Sequence, residues 1–82
     1  MTAISNMPRD YKAIGEVLAG EYAQAGTMQV KSAIWCATLS IADKMLKAEP
    51  NNFNRSEFYA IVFGTPDHFA ARDEFTRKWV NA

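Results

Sequence analysis

Apolar residues recur at helical spacing in four segments that Gly and Pro separate. The first, at about residues 8–25, starts with Pro8, which suits a first helical turn, and ends before Gly26. Gly15 and Gly20 weaken this helix by roughly 1 kcal/mol each relative to Ala, but would let another helix approach closely. Its apolar face has i, i+3, i+7, i+11 spacing, widened by one valine: Tyr11, Ile14, Val17, Leu18 and Tyr22.

The second segment, at about residues 28–49, is expected to be the central helix. Thr27 is its predicted N-cap and Pro50 ends it. Its broad apolar stripe follows the 3.6-residue helical period: Ile34, Trp35, Thr38, Ile41, Ala42, Met45 and Leu46. The charged residues fall largely away from that stripe: Lys31, Asp43, Lys44 and Lys47.

The third segment, residues 55–63, has the strongest start signal in the chain. Asn54 and Glu57 form an N-x-x-E pattern, a variant of the capping box, in which Asn54 caps the helix. Phe53 and Phe58 flank the cap at the positions of a hydrophobic staple. These residues predict a helix that begins at residue 55.

The end of the third segment is less clear from the sequence. Residues 59–63 are largely β-branched or aromatic, which is also typical of a strand. Gly64 stands where a helix would end in a left-handed residue. The cap and this glycine together favour a helix.

The fourth segment, at about residues 66–80, is expected to start with Thr65 as N-cap and Pro66 as the first helical residue. Phe69, Arg72, Phe75 and Trp79 run roughly along one face of this helix. Its polar face carries two opposite-charge pairs at i and i+4: Asp73 with Arg77, and Glu74 with Lys78.

These segments predict an all-α, compact four-helix single domain spanning residues 1–82, with residues 1–7 as a flexible N-terminus. Eighty-two residues suffice for one domain, and a 49% hydrophobic composition is too rich for a disordered chain. Short connections favour antiparallel neighbouring helices.

Charge and composition narrow the partners and the compartment. The formal net charge is zero, whereas a duplex-DNA binder is normally basic and a DNA mimic acidic. No apolar run approaches the roughly 18 residues of a membrane span, and no signal peptide is recognisable. One cysteine rules out an intramolecular disulfide. We therefore expect a cytoplasmic protein with no membrane partner.

Candidate chemistry is sparse, and we expect no enzymatic activity, no cofactor and no metal site. Cys36 and His68 are the one conventional catalytic pair, but Cys36 is expected to be a buried small residue of the central helix. His68 is expected at the surface in a capping turn, and one His with one Cys cannot complete a zinc site. Asp73 and Glu74 are adjacent and so point to different sides of a helix.

Several of these features together resemble a group of phage proteins. The chain has an N-terminal helix beginning near Tyr11, a central helix with an apolar face, and the pattern E-P-x-x-F-N-R-x-x-F-x-x-x-x-x-G over residues 49–64. From Pro8 to Gly64 it resembles small helical proteins of unknown function in phage and prophage genomes, with one residue inserted between Pro50 and Phe53. The resemblance implies a helical fold and a mobile-element origin, and no particular chemistry.

The binding hypothesis comes from the aromatic residues and the fourth helix. The chain has ten aromatic residues, more than a small core needs, so some are expected in an exposed patch. Eight of them cannot all lie at the centre of the domain: Trp35, Phe53, Phe58, Tyr59, Phe63, Phe69, Phe75 and Trp79. Arg72, Arg77, Lys78 and Trp79 form the predicted partner-binding set, because Arg and Trp dominate interface hot spots. The leading hypothesis is a host protein or complex as partner, including inhibition of a bacterial defence system such as a CRISPR effector. Self-association and a nucleic-acid-associated regulator using the basic helix are the alternatives.

Overall fold

The computed structural model describes residues 9–80, and every regular element within that range is a helix. The chain forms three longer helices and one of nine residues. In order they are α1 (Arg9–Gln24), α2 (Met28–Ala48), α3 (Arg55–Phe63) and α4 (His68–Val80). The predicted all-α single domain is therefore confirmed. The predictions for Pro8 and residues 1–7 lie outside the described range. Between residues 9 and 80 no helix has both the length and the apolar character to cross a bilayer.

The closest helix packing is between α1 and α3, and Gly15 makes it possible. A Cβ atom at Gly15 would lie 3.0 Å from Cγ2 of Ile61 and 3.3 Å from Cε1 of Phe58. Gly15 therefore admits α3, as predicted, whereas Gly20 is exposed and has no atom that a Cβ would touch within 4 Å.

This close approach rotates the buried face of α1 away from two of its predicted members. The face that enters the core contains Tyr11, Gly15, Leu18 and Tyr22. Ile14 is 39% exposed and Val17 is 66% exposed, so their assignment to the apolar face was wrong. The buried face of α1 centres on Gly15, which α3 contacts. A pattern of apolar side chains does not identify a glycine as the centre of that face.

The apolar stripe of α2 is confirmed. Trp35, Thr38, Ala42 and Met45 are buried, and the stripe's other members pack against them. The Thr38 hydroxyl donates to the carbonyl oxygen of Ile34 at 2.7 Å, which satisfies a polar group that is fully buried. The position of Lys31 differs from the prediction, because its ammonium lies over the Tyr22 ring, 4.2 Å from the centroid.

The Asn54 cap, the hydrophobic staple and the Gly64 end of α3 form as predicted, but the Glu57 carboxylate does not accept from the Asn54 N–H as in a full capping box. The Asn54 side chain accepts a hydrogen bond from the Glu57 N–H at 3.0 Å, and the Phe53 and Phe58 rings lie 5.3 Å apart. Gly64 has a φ of 80°, and its N–H donates to the Ala60 carbonyl at 2.9 Å. Residues 59–63 are thus helical, and the strand alternative is wrong. The Glu57 carboxylate lies 4.0 Å from Lys12 on α1.

The start of α4 differs from the prediction. The helix begins at His68, two residues after Pro66, and Asp67 caps it. The Asp67 carboxylate accepts from the N–H groups of Phe69 and Ala70 at 3.0 and 3.1 Å. Thr65 accepts only from the Asp67 N–H, at 3.2 Å. The negatively charged Asp67 carboxylate accepts hydrogen bonds from two N–H groups of the first helical turn. Asp67 is therefore the N-cap, and the helix begins at the next residue.

The two ion pairs predicted along α4 do not form. In the described chain the ion pairs join Lys12 to Glu57 and Lys47 to Asp43. Lys78 instead lies over the Trp79 ring, 5.3 Å from its centroid. Exposed i, i+4 pairs contribute little stability, so contacts with an aromatic ring can displace them.

We predict that Gly15→Ala destabilises the protein although alanine favours helix formation. The β-branched Ile61 and the fully buried Phe58 have little room to shift, and overpacking costs about 1–3 kcal/mol, against a propensity gain of roughly 1 kcal/mol. Gly20→Ala is the matched control and should stabilise by about 0.5–1 kcal/mol. Urea unfolding followed by circular dichroism measures both. Equal stability of the two variants would contradict the proposed role of Gly15.

A second prediction concerns the α4 cap. Asp67→Ala should lower the free energy of unfolding by about 1 kcal/mol, because two N–H groups lose their acceptor. Thr65→Ala should cost clearly less. Thermal and urea unfolding of the two variants compare them directly, and a larger loss for Thr65→Ala would restore Thr65 as the cap.

Candidate functional site

The four residues of the predicted partner-binding set do not form one surface. Successive residues are about 100° apart around a helix, so Arg72, Arg77 and Lys78 point to three different sides of α4. Arg77 borders a shallow depression with Asp73 and Val80. Lys78 lies on the side of α4 that faces Lys31. The three cations therefore do not share one surface: Lys78 lies near Lys31 of α2 across the Trp79 ring, and Arg72 lies over the Trp35 ring of α2.

Trp79 belongs mainly to the core. It is half-buried, packs against the core cluster and meets the Phe75 ring edge-on at 6.5 Å. Lys31 and Lys78 cover it from outside, with their ammonium nitrogens 5.8 and 5.3 Å from the ring centroid. Its exposed part is thus an edge between two lysines.

Arg72 is held between two aromatic rings at the junction of α2 and α4. Its guanidinium carbon lies 5.4 Å from the Trp35 ring centroid and 5.2 Å from that of Phe69. Both distances are within the range of cation–π attraction. Arg72 takes part in neither of the ion pairs found in residues 9–80.

A hydrogen bond holds the rings beneath Arg72 in place. The Trp35 Nε1–H donates to the backbone carbonyl of His68 at 2.7 Å, which joins the middle of α2 to the first residue of α4. The His68 ring lies 4.2 Å from Phe69 and 4.8 Å from Tyr59. These four residues, Trp35, Tyr59, His68 and Phe69, are called the aromatic cluster below.

An open groove of about 510 Å³ runs between α2 and α4 beside this cluster. We call it the α2–α4 groove. Its surface is mainly apolar, and Arg72 is the one charged residue among those that line it. The lining residues are Met28, Gln29, Ser32, Ala33 and Cys36 of α2, with Arg72, Phe75 and Thr76 of α4.

Cys36 is exposed in this groove, so its predicted burial was wrong. Trp35 occupies the buried face of α2, and the next residue is rotated by about 100° away from it. Neighbouring groove residues are small, notably Ser32 and Ala33, and this leaves the thiol accessible from solvent.

His68 lies in the first turn of α4, as predicted, but its ring is half-buried in the aromatic cluster and not at the surface. It borders a second, shallower cleft together with Asp43, Arg55 and Tyr59, whereas Cys36 opens into the α2–α4 groove. The two residues of the candidate catalytic pair thus open into different clefts. Within residues 9–80, no three His, Cys, Asp or Glu residues are placed to hold a metal ion.

Sequence composition predicted an exposed aromatic patch, and in the described residues one aromatic side chain, that of Phe69, is exposed. Phe69 is 53% exposed and is the one aromatic among the exposed large apolar residues of the described chain. The remaining large aromatic residues are buried or half-buried. The sequence pattern placed Phe69 on one helical face with Phe75 and Trp79, and it did not indicate the groove side of α2. The small residues Ser32, Ala33 and Cys36, at i, i+1 and i+4, were the one signal that could have indicated a shallow wall.

Comparisons with protein-family models, with curated proteins and with solved structures find no match to this chain. The candidate function therefore rests on the geometry of the site itself.

On the opposite side of α4, Tyr22 and Lys31 share a partly desolvated environment. Burial raises the pKa of the Tyr22 phenol, and the nearby Glu74 carboxylate raises it further. Burial lowers the pKa of Lys31, Lys78 lowers it further, and Glu74 acts in the opposite direction. This side of α4 is thus a packed face of mixed charge that joins α1, α2 and α4.

We predict that Tyr22 makes the protein sensitive to alkali. Since its pKa in the folded protein is raised, its stabilising contribution is complete below the ordinary pKa of about 10 and is lost as the pH rises through the raised value. Urea unfolding at increasing pH should show wild type losing stability relative to Tyr22→Phe above about pH 10. Glu74→Gln should reduce this loss. Parallel pH profiles for wild type and Tyr22→Phe would refute the prediction.

Proposed function

We propose that this protein is a non-catalytic binding protein that contacts a partner protein through the α2–α4 groove. The observation that carries this proposal is Phe69, a large aromatic residue 53% exposed, beside Arg72, which lines an apolar groove. The exposed part of this ring makes no contact within the isolated fold, and it gains most by entering an interface.

The geometry of the groove supports a protein partner. Helices α2 and α4 flank the groove. Side chains of a bound segment would lie between these two helices, as in helix-in-groove recognition. Aromatic residues and arginine are the types that most often dominate binding energy at such interfaces. Here both types occur together and are already held by contacts within the protein.

The biological setting is proposed from the sequence. The resemblance of residues 8–64 to phage and prophage proteins favours a host bacterial protein or complex as partner, in the cytoplasm. Inhibition of a bacterial defence system, such as a CRISPR effector, is the specific form that we propose. It is supported by that resemblance and by the small size of the chain.

The distribution of cations favours a protein over a nucleic acid. Nucleic-acid binders place several basic residues along one surface, because phosphate contacts supply most of the affinity. Arg72, Arg77 and Lys78 point to separate sides of α4, and Asp73 and Glu74 lie between them in the sequence. A regulator using this helix remains the alternative class, and it predicts binding that depends steeply on salt.

The proposal is tested by affinity capture with the tagged full chain from a bacterial lysate treated with nuclease, read by mass spectrometry. A captured protein is then purified and its binding to wild type and to Phe69→Ser is measured. We expect Phe69→Ser to weaken binding roughly tenfold or more, as for a hot-spot residue. Val17→Ser is the matched control, because Val17 is also an exposed apolar residue but lies on α1, away from Phe69 and the groove.

Each other outcome of this experiment counts against the proposal in a defined way. Equal losses for Phe69→Ser and Val17→Ser would remove the groove from the binding site. Capture that disappears with nuclease would favour the nucleic-acid alternative. Recovery of the chain by itself, with a molecular mass in solution above that of one copy, would favour self-association.

A further inference from the structure

We infer that the α2–α4 groove recognises a peptide segment in which an apolar side chain and a carboxylate lie close together, with the carboxylate paired to Arg72. This inference deepens the proposed function and rests on it. It commits to an acidic-apolar segment of a partner protein as the occupant, and it identifies Arg72 as the residue that sets specificity.

First, the charge of the groove indicates which charge its occupant carries. Arg72 is the one charged residue among those that line the groove, and no carboxylate in residues 9–80 lies within 4.0 Å of it. The groove therefore presents a single positive charge on an apolar surface. A guanidinium recognises a carboxylate through two parallel N–H donors, which makes Asp or Glu the matching group on the occupant.

The second step is that Arg72 is already positioned before anything binds. Its guanidinium lies over the rings of Trp35 and Phe69, and Trp35 is buried and tied to α4 through the His68 carbonyl. An arginine stacked on a ring still has in-plane N–H donors for an anion, and less side-chain entropy is lost when the anion binds. The aromatic cluster thus prepares the cation.

The third step concerns the apolar part of the occupant. Beside Arg72, the groove has apolar walls from Met28 and Ala33 on α2 and from the Phe75 side of α4. The surface of the groove is mainly apolar, and its other polar side chains, Gln29, Ser32 and Thr76, are uncharged, so a Leu, Ile, Met or Phe side chain fits it better than a second charged one. Phe69 lies against Arg72 outside the lining residues, and its ring would shield the ion pair from water on that side.

The test uses a library of short random peptides displayed on phage, selected on the immobilised full-length protein. Cys36 provides a chemical block, because it is the chain's single cysteine and is exposed in the groove. Peptides that also bind protein alkylated at Cys36 with a maleimide are removed from the selection, because they bind outside the groove. Cys36→Ser protein treated with the same reagent is the control, since it keeps an open groove.

We expect the selected peptides to contain Asp or Glu within one helical turn of a large apolar residue. Their binding should be lost when wild type is alkylated, whereas treatment with the same reagent should not change the affinity that Cys36→Ser shows before treatment. Arg72→Ala should weaken it about 10- to 100-fold, as expected for a charged hydrogen-bonding group. Arg72→Lys should recover only part of the affinity, because lysine cannot form the bidentate contact. Arg77→Ala, on the same helix outside the groove, should leave it unchanged.

Opposite results overturn the inference. Groove-blocked peptides without acidic residues, or equal affinity for wild type and Arg72→Ala, would show that Arg72 does not select a carboxylate. Reversing the charges is a second measurement: Arg72→Glu should prefer peptides in which the acid is replaced by Lys or Arg, and failure of that exchange also rejects the pairing.

These results are distinguishable from failure of the proposed function. If a captured host protein is lost with Phe69→Ser but not with Arg72→Ala, the groove binds a protein and the acidic-apolar specificity is wrong. If no binding depends on the groove at all, both proposals fail together.

Discussion

The hydrogen bond from the Trp35 indole to the His68 carbonyl is the contact on which the candidate site depends. It is short, at 2.7 Å, and it joins residues 33 positions apart in the sequence. A buried indole N–H needs an acceptor, and the first residue of α4 supplies it. The bond therefore places the start of α4 against the middle of α2. The groove, the aromatic cluster and the position of Arg72 all follow from that placement.

The same core is closed on its other side by the contact of α1 with α3 at Gly15. The two contacts have opposite character, since one adds a polar bond and the other removes a side chain. Together they bury Phe58 and Thr38 completely in a chain of only 82 residues. A domain this small has a thin stability margin, and Phe69 leaves about half of its surface in water. An interface would bury that apolar area, which is the reason for connecting Phe69 with binding.

Local signals in the sequence predicted the helix ends well where a side chain contacts groups that are only a few residues away in the chain. The staple of Phe53 and Phe58, the Asn54 cap and the Gly64 end are contacts of this kind, and all are present. The start of α4 was misplaced because Thr65 and Asp67 are both good caps, and the choice depends on which one reaches two N–H groups. The ion pair predicted between Glu74 and Lys78 is absent because the Lys78 ammonium lies over the Trp79 ring instead.

The sequence by itself determined an all-α domain, its helix boundaries to within two residues, and the apolar stripe of α2, because helical periodicity and end caps are encoded locally. Only the tertiary structure decided which side of α1 is buried, that Cys36 is exposed, and that Arg72 stands apart from Arg77 and Lys78. Those properties depend on how each helix is rotated against its neighbours. That rotation is set by long-range contacts such as Gly15 with Ile61 and Trp35 with His68, which no local pattern records.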